Sequence, residues 1–143
     1  MNAESLRTWL LALPDVCETM QWGESLVYWA ADKAIGGRMF AVVTLGSPNS
    51  VISFAAGPEG FAELVEREGI VPAPYLARAH WVAVERWDTL PAAELKTLLS
   101  RAREIIREKL PARTRAVLAM PAPEKKKLIA ARKKQLSARG KSR

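Results

Sequence analysis

Apolar residues recur at helical spacing in three parts of the chain: residues 3–13, a segment that begins at Gly57, and residues 91–110. The last is the clearest, because its apolar side chains form one stripe while Lys, Arg and Glu occupy the opposite face. Pro14 follows the first segment and Gly69 follows the second, and both residue types are typical of helix ends. The pattern therefore predicts three helices.

Short segments rich in β-branched and aromatic residues lie between these helices and predict five strands. They cover residues 26–30, 38–45, 51–55, 70–75 and 80–85. The fourth contains Pro72 and Pro74, and because proline cannot donate to a ladder this strand is expected at a sheet edge. Residues 15–24 are predicted as a connector or as the entry to the first strand. The order αβββαββα predicts an α+β fold of two layers, a five-stranded antiparallel sheet with helices packed on one face.

Charge divides the chain near residue 111. Residues 112–143 hold eleven Lys and Arg against one acid, Glu124, a net charge of +10; residues 1–111 hold eleven bases against fourteen acids, a net charge of −3. This asymmetry predicts a mildly acidic domain over residues 1–111 and a basic Lys/Arg-rich tail over residues 112–143, flexible or helical when bound. A basic segment of this kind indicates a polyanion partner, usually nucleic acid.

The tail favours nucleic acid over a membrane surface. Residues 124–138 are good helix formers, but in a helix their bases would occupy most of the circumference beside a narrow stripe of Leu128, Ile129 and Leu136. A membrane-surface helix needs a wide apolar face, and no apolar run in the chain reaches the length of a membrane span. The alternative is a solvated tail that only aids solubility.

Three motifs resemble the MmcQ/YjbR family: Leu13-Pro14-Asp15-Val16, Gly37-Arg38-Met39-Phe40-Ala41, and the stretch from Val71 to Val82. In this order and spacing the resemblance covers about residues 3–110. It implies a two-layer fold similar to the type III secretion chaperones, DNA binding through strand loops arranged as a double wing, and no enzymatic activity. The chain departs from the family at residues 53–56, where members often carry a Lys, and at Arg101-Ala102, where they often carry Ser-Tyr.

Basic and aromatic side chains supply the predicted nucleic-acid-binding residues, because cations pair with phosphates and aromatic rings beside Arg stack on bases. In the tail these are Lys125, Lys126, Lys127, Arg132, Lys133, Lys134, Arg139 and Lys141, and in the domain they are Lys33, Arg38, Tyr75, Arg78 and Trp81. The alternatives are that Trp81 lies in the core and that Tyr75 packs under a loop.

Catalytic and metal chemistry finds little support in the sequence. The single histidine, His80, and the single cysteine, Cys17, lie far apart, so they indicate neither a metal site nor a nucleophile–base pair. No metal or other cofactor is expected, nor is the protein expected to be an enzyme. The lone cysteine and the absence of a signal-peptide pattern indicate a cytoplasmic setting.

The function predicted from the sequence is therefore a small cytosolic nucleic-acid-binding protein of low sequence specificity, whose affinity comes mainly from the tail. DNA is favoured over RNA, and no membrane partner is expected. The alternative is a non-catalytic protein-interaction or chaperone-like adaptor, motivated by the implied likeness to secretion chaperones.

Overall fold

A computed structural model describes residues 1–141 of the chain, with side chains described through Arg139. Within these residues the chain forms an α+β fold of five α-helices and one six-stranded antiparallel sheet. The helices are α1 (Ala3–Leu11), α2 (Gly57–Leu64), α3 (Ala92–Glu108), α4 (Ala112–Leu118) and α5 (Ala122–Lys141). The strands are β1 (Cys17–Gln21), β2 (Ser25–Trp29), β3 (Met39–Thr44), β4 (Ile52–Ala55), β5 (Ile70–Pro72) and β6 (Trp81–Val84).

The prediction of five strands was wrong, because the segment expected to be a connector forms β1. This strand pairs with β2 in an antiparallel hairpin whose register runs from Cys17 opposite Trp29 to Gln21 opposite Ser25. Its side chains alternate without an apolar face, which hides it from a hydrophobicity pattern. The turn that follows places both Trp22 and Gly23 at positive φ, at 51° and 83°.

The sheet has the strand order β1-β2-β3-β4-β6-β5. The expectation that the proline-containing strand lies at an edge is confirmed, because β5 pairs only with β6. Pro72 is the last residue of β5 and lies opposite Val82, so its missing N–H leaves no central ladder position unpaired. The opposite edge is formed by β1, the strand that the sequence pattern missed.

The first helix is held on the sheet by a polar chain of three side chains. The Nε of Arg7 donates to Glu18 at 2.8 Å, and the Tyr28 hydroxyl donates to the same carboxylate at 2.8 Å. Glu18 and Tyr28 lie opposite each other in the ladder, and through Ala41 they share a face with Phe54. This face therefore carries α1, and it includes the fully buried side chains of Tyr28 and Phe54.

The long helix α3 packs on β3 and β4 through the stripe that the sequence predicts. Leu95, Leu99, Ala102 and Ile106 are buried along it. Arg103 lies on the same side, where its guanidinium donates to the carbonyl oxygen of Pro14 at 2.7 Å. Burial of this side chain lowers the pKa of the guanidinium from its ordinary value.

The helices of the basic tail dock on the domain at the loop between β2 and β3. The Thr114 hydroxyl of α4 donates to the carbonyl oxygen of Ile35 at 2.6 Å, and Leu110 is buried with Ala31 and Ile35. Val117, Leu118 and Ile129 pack against this small cluster. The two turns of α4 therefore contribute to a second, small core. The domain boundary predicted at residue 111, and the prediction that the tail is flexible or becomes helical when bound, stay predictions.

Candidate functional site

Two loops of the domain leave the sheet at the same end. The register places Trp29 opposite Met39, and Trp81 opposite Ala55, so the β2–β3 loop (residues 30–38) and the β5–β6 loop (residues 73–80) emerge together. The loop at residues 30–38 is also where α4 and α5 dock. We call this surface, composed of the two loops with α4 and α5, the basic end.

The first loop presents Lys33 and Arg38, and both side chains are exposed. The ammonium of Lys33 lies 5.5 Å from the centroid of the Trp29 ring, a cation–π distance. Trp29 is itself fixed because its indole N–H donates to the Thr19 hydroxyl at 2.9 Å. The loop therefore holds one predicted cation over an anchored aromatic ring and leaves the other in solvent.

The second loop presents Tyr75 and Arg78, both exposed. Tyr75 is fully exposed and adopts a φ of 65°, a left-handed conformation that is unusual for a tyrosine, so it does not pack under the loop. Trp81 corrects the sequence interpretation, because it is only 4% exposed and belongs to the main core. Its indole ring is occupied by packing and has no surface to offer a base.

Two of the predicted tail lysines form ion pairs with carboxylates of the domain. Lys125 lies 2.7 Å from a carboxylate oxygen of Asp15, and Lys133 lies 3.0 Å from a carboxylate oxygen of Asp32. The hydrogen bond and charge of Asp32 raise the pKa of Lys133. These two pairs fix α5 on the domain and neutralise two carboxylates at the basic end.

The remaining tail bases lie outside this contact. Lys126, Lys127 and Lys134 are exposed, and within the part of the chain that the structure describes none of them forms an ion pair. Arg139 is exposed and already takes part in an interaction. The side chain of Lys141 lies beyond those that the structure describes.

Arg132 lines a cavity between the domain and the tail. The cavity has a volume of about 190 Å³ and is lined by Ala34, Ile35, Gly36, Arg113, Val117, Leu128 and Arg132. Sequence reasoning missed Arg113, although it lies in the first turn of α4, which begins directly after Pro111 in the basic part of the chain. Its placement depends on how α4 docks, which the sequence pattern does not specify.

Three acidic side chains of the domain lie at the other end of the sheet. Glu24 lies in the β1–β2 turn, and Glu68 and Glu85 flank β5 and β6 where these strands face away from the basic end. Arg86 lies there too, but it is paired with Asp88 at 3.0 Å. Exposed cations of residues 1–111 occur at the basic end, where Lys33, Arg38 and Arg78 lie in the two loops, and also outside it, as at Arg101 of α3.

Two absences concern the described part of the chain. No helix within residues 1–141 combines the length and apolar character that crossing a membrane requires. Among the same residues, no group of three or more His, Cys, Asp or Glu side chains is arranged to hold a metal ion. His80, the only histidine, packs edge-on against the ring of Phe61, with the two ring centroids 5.7 Å apart.

Solved structures show the same fold. A protein of Deinococcus radiodurans, DR2400, which carries a DUF419 domain, is 25% identical, with a TM-score of 0.71 over 84% of this chain and 89% of that one. A protein of Pseudomonas syringae is 19% identical, with a TM-score of 0.62 over 75% of this chain and 100% of that one. No curated protein matches the chain.

The family model named YjbR matches residues 11–105, which include every strand of the sheet together with α2 and most of α3. The match stops before α4 and α5, so the helices that complete the basic end lie outside the matched region. Because the match spans well over half of the sequence, the chain belongs to the YjbR family.

Proposed function

We propose that this protein binds nucleic acid, with DNA as its main target, through the phosphates facing the basic end. The observation that carries the proposal is the shared location of two cationic loops and a docked basic helix at one end of an otherwise acidic domain. Phosphate contacts from lysine and arginine give affinity without reading base sequence. Low sequence specificity follows from that chemistry.

The electrostatics of the basic end support this proposal. Asp15 and Asp32, the acids that precede β1 and the Lys33–Ile35 turn, are both paired with lysines of α5. Their pairing removes local negative charge that would repel a phosphate backbone. Lys126, Lys127 and Lys134 remain exposed on the same helix and can neutralise phosphates.

Tyr75 supplies an aromatic surface beside these cations. It is fully exposed, in a strained backbone conformation, in the same loop as Arg78. Holding a large exposed side chain at positive φ costs of order 1 kcal/mol, and such strain is concentrated at functional positions. We assign Tyr75 to stacking on a sugar or on an unpaired base at the edge of the bound nucleic acid.

The test compares charge-neutralising variants in a fluorescence anisotropy titration with a labelled 5′-hydroxyl DNA duplex. Lys126→Gln/Lys127→Gln/Lys134→Gln removes three exposed cations from α5. The matched control, Arg86→Gln/Lys96→Gln/Arg101→Gln, removes three cations outside the basic end. Substitution is preferable to deleting residues 112–143, because Thr114 and the Leu110 cluster tie the tail to the fold.

The α5 variant should bind several different DNA sequences more weakly by the same factor, and its slope of log K against log salt should fall in magnitude by about 3. The control should retain both the affinity and the slope of the wild type. An equal loss in both variants would contradict the basic end as the binding surface. Weak, salt-insensitive binding by the wild type would overturn the proposal and favour the adaptor alternative.

A further inference from the structure

We propose that the cavity between the Lys33–Ile35 turn, α4 and α5 is a phosphomonoester site, which receives the 5′-terminal phosphate of a nucleic acid strand or of a nucleotide. Two arginines, Arg113 and Arg132, converge on this cavity from different helices. The proposal deepens the proposed function, since it rests on nucleic acid as the partner and names the chemical group that the site takes.

The two guanidinium groups are available to a ligand. Within the described part of the chain neither Arg113 nor Arg132 has a hydrogen bond or an ion pair, and no carboxylate lines the cavity. Asp32 lies two residues before Ala34, but its carboxylate accepts from the Ala34 N–H and from Lys133. The cavity is therefore a place of uncompensated positive charge.

The number and kind of cations favour a terminal phosphate. A phosphomonoester carries a charge near −2 at neutral pH, whereas an internal phosphodiester carries −1, so two guanidinium groups match the former. Guanidinium groups also bind phosphate oxygens through paired N–H donors. A terminal phosphate approaches the two arginines with one nucleoside attached, whereas an internal phosphate brings a nucleoside on each side.

The remaining lining suits the group attached to the phosphate. Ile35, Val117 and Leu128 give the cavity an apolar wall beside the arginines. The volume of about 190 Å³ is many times the ~10–15 Å³ that one water molecule requires, so a phosphate with an attached sugar fits the cavity. A nucleoside monophosphate should therefore bind better than inorganic phosphate, which leaves the apolar wall uncovered.

The cavity is built into the fold. Gly36 has a φ of 90°, and a Cβ at this position would lie 2.5 Å from the Thr114 hydroxyl oxygen, so only glycine permits α4 to approach this closely. Thr114 then fixes α4 through its hydrogen bond to Ile35, and the pair of Lys133 with Asp32 fixes α5. Both arginines are thus carried on helices whose positions are set before a ligand arrives.

The experiment compares 5′-phosphorylated and 5′-hydroxyl forms of one single-stranded oligonucleotide, with adenosine monophosphate, adenosine and inorganic phosphate as small probes, by isothermal titration calorimetry. The full-length protein is used throughout. The test variant is Arg113→Gln/Arg132→Gln, and the matched control is Arg101→Gln/Arg115→Gln, which removes the same charge from exposed arginines of α3 and α4 outside the cavity. Thermal unfolding of each variant verifies the fold.

The 5′-phosphate should strengthen oligonucleotide binding by about tenfold, and this gain should disappear in the test variant but persist in the control. Adenosine monophosphate should bind and adenosine should not. A gain for the nucleotide without a gain for the oligonucleotide would assign the site to free nucleotides, within the same chemistry. Equal binding of phosphorylated and hydroxyl forms of both would overturn the site.

The phosphomonoester site and the proposed function can fail independently of each other. The duplex titration uses 5′-hydroxyl ends and reports only backbone phosphates, while the present test reports the increment due to one terminal phosphate. A wild-type protein that binds the duplex but shows no increment for the 5′-phosphate would refute the phosphomonoester site and leave the proposed function standing. If adenosine monophosphate binds at the arginines but the duplex does not bind at all, the proposed function is refuted and the phosphomonoester site is supported.

Discussion

The hydroxyl of Thr114 donates a 2.6 Å hydrogen bond to the carbonyl oxygen of Ile35, a residue 79 positions earlier in the chain. Thr114 is fully buried, although it lies in the third position of the basic tail and is flanked by two exposed arginines. The bond is possible because Gly36 lets the helix come close to the turn. The root of the tail is therefore a structural part of the domain surface on which it lies.

Replacing Thr114 with valine should lower the free energy of unfolding by about 1–3 kcal/mol. Valine keeps the shape of the side chain but removes the donor, so it leaves a buried carbonyl oxygen without that partner. Urea denaturation measures the change. Thr114→Ser retains the hydroxyl and should cost less than Thr114→Val; a valine variant as stable as the wild type would contradict a structural role for this bond.

Gly36→Ala should be more destabilising than Gly23→Ala. Both glycines have positive φ, 90° and 83°, so alanine strains the backbone at each, by about 1–2 kcal/mol. At Gly36 the new methyl group would also lie 2.5 Å from the Thr114 hydroxyl oxygen, whereas at Gly23 nothing lies within 4 Å. Urea denaturation should show the extra loss at Gly36 alone, and Thr114→Ala should relieve part of it in the double variant. Equal losses at the two glycines would argue against close packing of α4.

Deletion of residues 112–143 should destabilise the domain by about 2–4 kcal/mol, because it uncovers Ile35 and Leu110 as well as removing charge. Deletion of residues 137–143 is the matched control, since it preserves the contacts of Thr114, Lys125 and Lys133. Thermal and urea unfolding of the two truncated chains distinguish these cases. Wild-type stability in the longer deletion would show that the tail root adds nothing to the fold.

The sequence predicts the helices and strands that have an apolar pattern, and it misses the strand β1, which has none. The stripe of α3 and the β-branched runs of β3 and β6 are visible because their side chains bury one or both faces. The strand β1 is invisible because Glu18 and Met20 share one face, and the charge is satisfied only in three dimensions, by Arg7 and Tyr28. A long-range ion pair leaves no periodic signal.

The candidate site was predictable in composition but not in arrangement. Charge counting identifies the tail and its lysines, and exposed Tyr75 and Arg78 agree with their assignment to the surface. Charge counting cannot distinguish Lys125 and Lys133, which pair with carboxylates, from neighbouring lysines that do not. The same limit explains Trp81, whose strand position permits either a surface or a core role until the packing on both faces is known.

Cys17 should react slowly with thiol reagents in the folded protein. Burial, and then the charge of Asp32, raise the pKa of this thiol to about 11, so at pH 8 its thiolate fraction is about a hundredfold lower than that of an ordinary cysteine. Reaction with a disulfide reagent as a function of pH measures the midpoint. Asp32→Asn should shift that midpoint to lower pH, and Asp88→Asn, at an exposed acid remote from the thiol, should leave it unchanged. An unshifted midpoint in Asp32→Asn would remove the electrostatic explanation, whatever the absolute rate.

The stability of the protein should fall as the pH rises above about 9. Burial and the hydrogen bond to Glu18 raise the pKa of Tyr28 above its ordinary value near 10, and Cys17 is raised from about 9 to about 11. The folded state holds both protons more tightly than the unfolded chain does. The two groups therefore contribute their full stabilisation at pH values below their ordinary pKa values. It is lost as the unfolded chain ionises first, from pH 9 for the thiol and from pH 10 for the phenol.

The free energy of unfolding, measured by urea denaturation between pH 8 and pH 11, should therefore decline in the wild type and decline less in Cys17→Ala/Tyr28→Phe. The double variant will start from a lower value at pH 8, since Tyr28 loses its bond to Glu18. Tyr75→Phe, at the fully exposed tyrosine, is the matched control and should reproduce the decline of the wild type. A parallel decline in the double variant would show that neither buried proton governs alkaline unfolding and would direct attention to the lysine pairs that hold α5 on the domain.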